Sequence, residues 1–246
     1  MLKYIALGII QGLTEFFPVS SSAHLVIAQR LFGITEGEVA ISVVLHLGTV
    51  LALIIFFFKD ILNALRDKKM LLHIAAVTVI TGSIGVLGKD FFENLFSRPK
   101  FAAIALIFTG LMLFATKKFM EGRRNLNIKD AVILGFTQAV AIIPGISRSG
   151  TTISTLLFRK IERDLAFKFS FLVSIPVILG AALLEAKDIN IALNGNYKNL
   201  VIGFIFSLLA GLFSLAVLRA ILHRAKLHYF GYYCIMIAVL TLLFVK

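Results

Sequence analysis

The sequence is short of charge, of acidic residues in particular, and of cysteine. Charged residues make up 15% of it against 59% hydrophobic, and its mean hydropathy is +0.95. A soluble domain of this size cannot carry that surplus, because polar groups must coat its surface. The chain is therefore expected to be an integral membrane protein. Its single cysteine, Cys234, lies in an apolar run and excludes an internal disulfide. Acidic residues number 13 against 25 Lys and Arg, a formal net charge of +12. That excess does not point to nucleic acid, because the basic residues stand in short clusters between apolar runs, such as "KDILNALRDKK" and "KKFMEGRRN". Cytoplasmic loops facing anionic lipid have this pattern. Lys3, the apolar run after it and "SSSA" outline a cleavable signal, but Gln11 and Glu15 inside the run argue against cleavage.

A membrane-crossing helix needs ~20 mostly apolar residues. Six stretches meet or approach this, at about 41–58, 70–88, 101–117, 165–185, 200–220 and 228–245. Two further apolar regions, about 4–32 and 131–158, are each interrupted midway by proline and small polar residues. Each reads as two half-length helices joined by a loop, a re-entrant hairpin that returns to the side it entered from.

The chain also repeats itself. "LGIIQGLTEFFPVSSSAHL" lies over "LGFTQAVAIIPGISRSGTT", with Gln11 on Gln138 and Pro18 within one residue of Pro144; further on, Lys59-Asp60 meets Lys187-Asp188 at nearly the same offset. The expected fold is thus all-α, with about six transmembrane helices and two re-entrant hairpins in two units, 1–120 and 121–246, of one membrane domain. Three crossings per unit is an odd number, so the second unit must be inverted relative to the first. Grouping the loops at 59–69, 117–130, 159–168 and 219–228 puts most Lys and Arg on one side. That side is expected to be cytoplasmic, which leaves both termini outside and lets the hairpins enter from opposite faces.

Against this apolar background the hairpin interiors are conspicuously polar. Gln11 and Glu15 are four residues apart and share a helix face, and Gly8 with Gly12 permits close approach of another backbone. Ser20 or Ser21 is placed to cap a helix running through His24, and Ser147 or Ser149 one that begins near Thr151. Two helix N-termini aimed into one buried space make an anion site. Arg148 adds a donor fork matched to phosphate oxygens, and the hydroxyls of Ser147, Ser149, Thr151 and Thr152 add more donors. An arginine at membrane depth costs at least ~2.5–3.5 kcal/mol and is a functional candidate by default. Glu15 fits an anion site only with a further role, either ligating a divalent cation that the phosphates share or orienting His24. His24 is a candidate nucleophile, or a base acting on Ser21 or water.

"QGLTEFFPVSSSAH" and "PGISRSGTT" resemble the two signature motifs of the undecaprenyl-diphosphate phosphatase family, also called the bacitracin resistance protein family. The resemblance extends over essentially the whole chain. It implies a plasma-membrane hydrolase that removes the terminal phosphate of a polyprenyl diphosphate, recycling the lipid carrier of cell-wall synthesis. It also implies Mg2+ or Ca2+ as cofactor, with Glu15 as ligand. The implied functional residues are Gln11, Glu15, Ser20, Ser21, His24, Ser147, Arg148, Ser149 and Thr152. Many members carry glutamate where Gln11 stands, so a metal shell with two carboxylates is not expected here.

The competing reading is a lipid-phosphate flippase or secondary transporter, which uses the same inverted repeats and broken helices. It needs anion donors but no Glu15–His24–Ser21 group. The sequence leaves a monomer or a homodimer open. Outside the hairpins, His46 is balanced between lining the cavity and a simple interhelical hydrogen bond. Tyr229, Tyr232 and Tyr233 read as an interfacial belt. Asp60, Asp67, Asp130, Glu162 and Asp164 read as solvated partners of nearby loop cations, and Gln138 as satisfying backbone freed near Pro144. The charge asymmetry predicts that a cysteine placed near residue 36 is labelled by an impermeant reagent from outside, and one near residue 122 only from the cytoplasm. The reverse pattern would overturn the orientation.

Overall fold

The computed structural model describes residues 1–34, 38–96, 98–119, 122, 125–184 and 186–244, with side chains described for these except at 38–40, 96, 99 and 186–196. Arg123, Arg124 and Lys246 of the charge count, and the side chains of the repeat match Lys187-Asp188, lie outside the described set.

The described residues form twelve α-helices: α1 (Leu2–Phe16), α2 (Ser21–Leu31), α3 (Glu38–Phe56), α4 (Phe58–Arg66), α5 (Lys68–Leu87), α6 (Lys89–Phe96), α7 (Pro99–Ala115), α8 (Ile128–Val140), α9 (Arg148–Phe158), α10 (Arg163–Leu184), α11 (Ala186–His223) and α12 (Tyr229–Phe244). The chain is an all-α membrane protein. Four segments are long and apolar enough to span a bilayer: Lys68–Leu87, Lys100–Lys118, Arg163–Leu184 and Tyr197–His223. The expected crossing at 41–58 is α3, which bends by 73° into the short, charged α4. The sixth expected crossing, α12, has 16 residues and sits below the usual spanning length.

Both predicted hairpins are present as helix, break, helix. α1 ends where Phe17 turns extended (ψ 141°), the conformation a residue before proline favours. Pro18 and Val19 follow, and Ser20 sits at φ +67° before α2 starts. In the second hairpin α8 ends at Val140, Gly145 takes φ +93°, and α9 starts at Arg148. Its cap is Ser147, whose Oγ accepts from Gly150 N at 3.2 Å. The helix therefore begins three residues before the expected Thr151. Ser20 occupies the cap position of α2 but makes no capping bond, and Ser21 is already helical, so neither serine caps as expected.

Helices of the two halves pack on one another in exchanged pairs: α1 lies along α11 as α8 lies along α5, α3 meets α11 as α10 meets α5, and α7 crosses α12. Helices from before and after residue 120 thus pack against one another throughout the described residues. The α7–α12 crossing is glycine on glycine. A Cβ on Gly110 would meet Gly231 O at 3.0 Å, and one on Gly231 would meet Gly110 O at 2.8 Å. On α1, Gly12 abuts α11 so closely that a Cβ would come within 2.5 Å of Ser207 O. There the packing adds hydrogen bonds, with Ser214 Oγ donating to Gly12 O at 2.7 Å and Ser207 Oγ to Leu45 O at 2.7 Å. Small residues and hydroxyl bonds between backbones replace the hydrophobic drive that lipid does not supply.

Two peripheral readings are corrected. Asp130 is fully buried, closes a capping box with Asn127 and accepts from Arg159 Nε at 3.0 Å, so it is no solvated loop partner. Gln138 reaches α5, donating from Nε2 to Thr81 Oγ1 at 3.2 Å, and does not serve backbone near Pro144.

Gly12→Ala forces a methyl group into the α11 backbone, and overpacking of this kind costs about 1–3 kcal/mol. The variant is expected to melt several degrees lower in detergent than wild type, whereas Gly82→Ala, where a Cβ meets nothing, is expected to melt as wild type does.

Candidate active site

The breaks of the two hairpins bring Glu15 to the centre of a polar cluster. Glu15 lies in the last turn of α1 and is buried. Its Oε2 accepts from Ser21 Oγ at 2.7 Å and from Gln11 Nε2 at 3.1 Å. Its Oε1 accepts from Nη2 of Arg148, the first residue of α9, in an ion pair whose side chains are 5% and 17% exposed. A carboxylate at this depth is stable only with such compensation, since an isolated buried charge is far too costly.

A fourth helix, α3, contributes His46, whose Nε2 stands 3.5 Å from Glu15 Oε2. Its Nδ1 is 2.7 Å from Ser42 O. A carbonyl only accepts, so Nδ1 carries a proton, and the Glu15 contact attracts only when Nε2 carries one too. His46 thus lies inside the cluster. The sequence signal was an ionisable residue within an apolar span, but at one position this does not separate a cavity wall from an ordinary helix contact.

The remaining predicted residues divide. Ser149 Oγ donates to Phe17 O at 3.3 Å and stitches one hairpin to the other. Ser147 Oγ serves as the α9 cap and lies 3.3 Å from Ser149 Oγ, while its backbone N donates to Thr109 Oγ1. Thr152 is turned away, donating back to Arg148 O and lying 2.5 Å from Ser170 Oγ on α10. Its hydroxyl belongs to the scaffold. Gln11 Oε1 and Arg148 Nη1 beside Glu15 are buried and have no partner among the described residues, so an acceptor and a donor remain for a ligand at this place, and Thr151 Oγ1 on α9 is likewise buried without one. Ser20 Oγ lies 3.2 Å from Ser22 Oγ.

His24 departs most from expectation. It bonds neither Glu15 nor Ser21. Its Nδ1 is 2.8 Å from Ser20 O and its Nε2 is 2.8 Å from Tyr233 Oη on α12. Glu15 therefore does not orient His24, and Tyr233 is not a simple interfacial residue. The hydroxyl that Glu15 does hold is that of Ser21.

A family model for the bacitracin resistance protein BacA matches residues 4–240. The chain belongs to that family. It is 42% identical to an undecaprenyl-diphosphatase of Halothermothrix orenii, over 99% of this chain and 97% of the relative. It is 42% identical to one of Carboxydothermus hydrogenoformans, over 93% and 91%, and 40% identical to one of Thermotoga petrophila, over 97% and 98%.

Of the shell that the expected metal would need, this BacA-family site supplies a part and leaves the rest to substrate phosphates and water. Mg2+ takes six oxygen ligands and Ca2+ six to eight. Here Glu15 is the one carboxylate, Gln11 Oε1 is the one buried oxygen beside it without a partner, and the Arg148 guanidinium occupies the other side. Among the described residues no three of His, Cys, Asp and Glu gather in a metal-holding group.

Removing one partner of a buried pair strands the other, at a cost of about 3–5 kcal/mol, whereas removing both is far milder. Glu15→Gln is expected to lower the melting temperature more than Glu15→Gln with Arg148→Gln, and thermal unfolding in detergent checks the order. Equal or additive losses would show that the two side chains do not compensate one another.

Proposed function

We propose that this chain is a phosphatase of the plasma membrane that converts a polyprenyl diphosphate, undecaprenyl diphosphate in the relatives' name, to the monophosphate and inorganic phosphate. The observation that carries the reading is the Ser21 hydroxyl held on the Glu15 carboxylate beside Arg148, where the two hairpin breaks meet. A carrier of lipid phosphates needs donors for the anion. A hydroxyl whose proton already points at a carboxylate is the arrangement of an activated nucleophile.

The residues then take the following roles. Arg148, the start of α9 and the start of α2, whose cap position lacks a side-chain bond, receive the two phosphates. Ser21 Oγ attacks the terminal phosphorus while its proton passes to Glu15, and the bridging P–O bond breaks to release polyprenyl phosphate. Water then attacks the phosphoserine, and Glu15 returns the proton to Ser21 Oγ as inorganic phosphate leaves. His46 and Gln11 keep the Glu15 carboxylate oriented, and Arg148 balances charge on the phosphoryl oxygens through both steps. Mg2+ or Ca2+ would be held here by Glu15 together with the diphosphate oxygens and would supply neutralisation of the phosphate charge. The hairpins are re-entrant from opposite faces in an inverted repeat, both termini lie outside, and the isoprenoid tail remains among apolar helix faces within the bilayer.

Phosphate release from a long-chain polyprenyl diphosphate in detergent micelles is the deciding measurement. Wild type is expected to release phosphate, Ser21→Ala and Glu15→Gln to lose at least ~100-fold in kcat, and Arg148→Lys to fall steeply because lysine cannot present the planar fork. Absent release by folded wild type would overturn the phosphatase reading and make lipid transport the assay to run. Full activity in Ser21→Ala would remove serine from the chemistry and leave water as the nucleophile.

A further inference from the structure

The His24–Tyr233 contact joins residues 209 positions apart, and no family motif quoted above includes the tyrosine. We infer that Tyr233 is a positioning residue for His24. Its hydroxyl, together with the Ser20 carbonyl, holds the imidazole in one tautomer and one ring orientation at the hairpin tip. The inference rests on the phosphatase reading and deepens it by extending the site to the last helix of the chain.

Ser20 O can only accept, so the His24 nitrogen 2.8 Å away, Nδ1, carries a proton. In the neutral ring Nε2 then holds a lone pair, and Tyr233 Oη, 2.8 Å from it, must donate. The two rings are 12° from parallel with centroids 5.7 Å apart. Free imidazole favours the opposite tautomer, so this one has to be imposed by its neighbours. Part of the imposition is the Ser20 backbone itself. A serine at φ +67° lies in the left-handed region that non-glycine residues seldom occupy, and residues so held cluster where geometry serves function.

Tyr233 is itself fixed from afar. α12 grips the break of the first hairpin at two further points: Phe230 packs on Phe17 with ring centroids 5.2 Å apart, and Cys234 Sγ donates to Pro18 O at 3.4 Å. The Gly110–Gly231 crossing seats α12 on α7 two residues before the tyrosine. Phe230, Tyr233 and Cys234 are spaced by three and four along the helix and so form one face turned to the hairpin. Position 233 therefore belongs to a docking face, with the hydroxyl aimed at His24, the side chain of α2 outside the Glu15 cluster that we take as the base for the attacking water. Outer partners of metal-bound histidines, which set tautomer and ring angle, contribute about 10- to 100-fold, and a partner that sets both for His24 is expected to act on the same scale.

The test is Tyr233→Phe, which keeps the ring and removes the donor, against Tyr232→Phe on the same helix. The expected result is a kcat lower by about 10- to 100-fold with KM and melting temperature near wild type, while Tyr232→Phe is unchanged. Nitrogen-15 NMR of histidine-labelled protein, with the His24 signals assigned by their loss in His24→Gln, gives an independent reading. Wild type is expected to show His24 protonated at Nδ1 with a hydrogen-bonded, unprotonated Nε2, and Tyr233→Phe to shift the Nε2 resonance. A wild-type His24 protonated at Nε2, or a Tyr233→Phe protein with normal kcat, would overturn the inference. Inactivity of wild type itself would count against the phosphatase reading instead, and the NMR result would still decide the hydrogen bond.

Discussion

The ion pair between Glu15 and Arg148 is the constraint on which the centre of this protein depends. Each charge alone at membrane depth is prohibitive, and neither hairpin can supply the partner for its own charge. The first hairpin carries the acid at the end of α1; the second carries the base at the start of α9. Their pairing brings the two chain breaks to one place, and the other site groups follow from it. Ser21 opens α2 five residues after α1 ends at Phe16 and lands on the second oxygen of the carboxylate, and Gln11, one turn earlier on α1, steadies that oxygen.

That pairing is possible because the surrounding helices approach one another closely. α1 contacts α11 through glycine, α7 crosses α12 at two facing glycines, and serine hydroxyls bond to carbonyls across the gaps. Tight, polar-stitched packing of this kind suits a bilayer, in which burying one more leucine gains nothing over leaving it in lipid. It also explains why the site is assembled from five helices, α1, α2, α3, α9 and α12, with the catalytic roles we propose confined to the broken ones.

The two breaks differ in how they use the same device. At the second, Ser147 caps α9 and Gly145 supplies the positive φ without strain, so Arg148 emerges from a well-satisfied turn. At the first, Ser20 bears the positive φ itself and its hydroxyl leaves the α2 N-terminus uncapped. The strained and unsatisfied break is the one that carries Ser21 and His24, and the regular break carries the arginine. This division matches the functions proposed for them, since an uncapped helix start can give its N–H groups to phosphate.

Much of this was legible in the residues. Hydropathy and proline placement located the crossings and both hairpins, because a bilayer enforces length and backbone satisfaction on every segment. Glu15, Arg148, Gln11 and Ser21 stood out as polar groups where polarity is costly, and the structure gathers all four. What the sequence could not assign was partnership. His24 was read beside Glu15 because the two are near in sequence, yet the turn at Ser20 sends it to a tyrosine in the last helix. Tyr233 was indistinguishable from Tyr229 and Tyr232, and Thr152, inside a motif, proved to face α10. Asp130 looked like a loop acid and is fully buried. The segments and the inventory of polar groups are written in the residues, since these answer to the solvent each stretch of chain must meet. Which donor meets which acceptor came from the folded packing alone, because that depends on helix rotation and on contacts between residues more than two hundred positions apart.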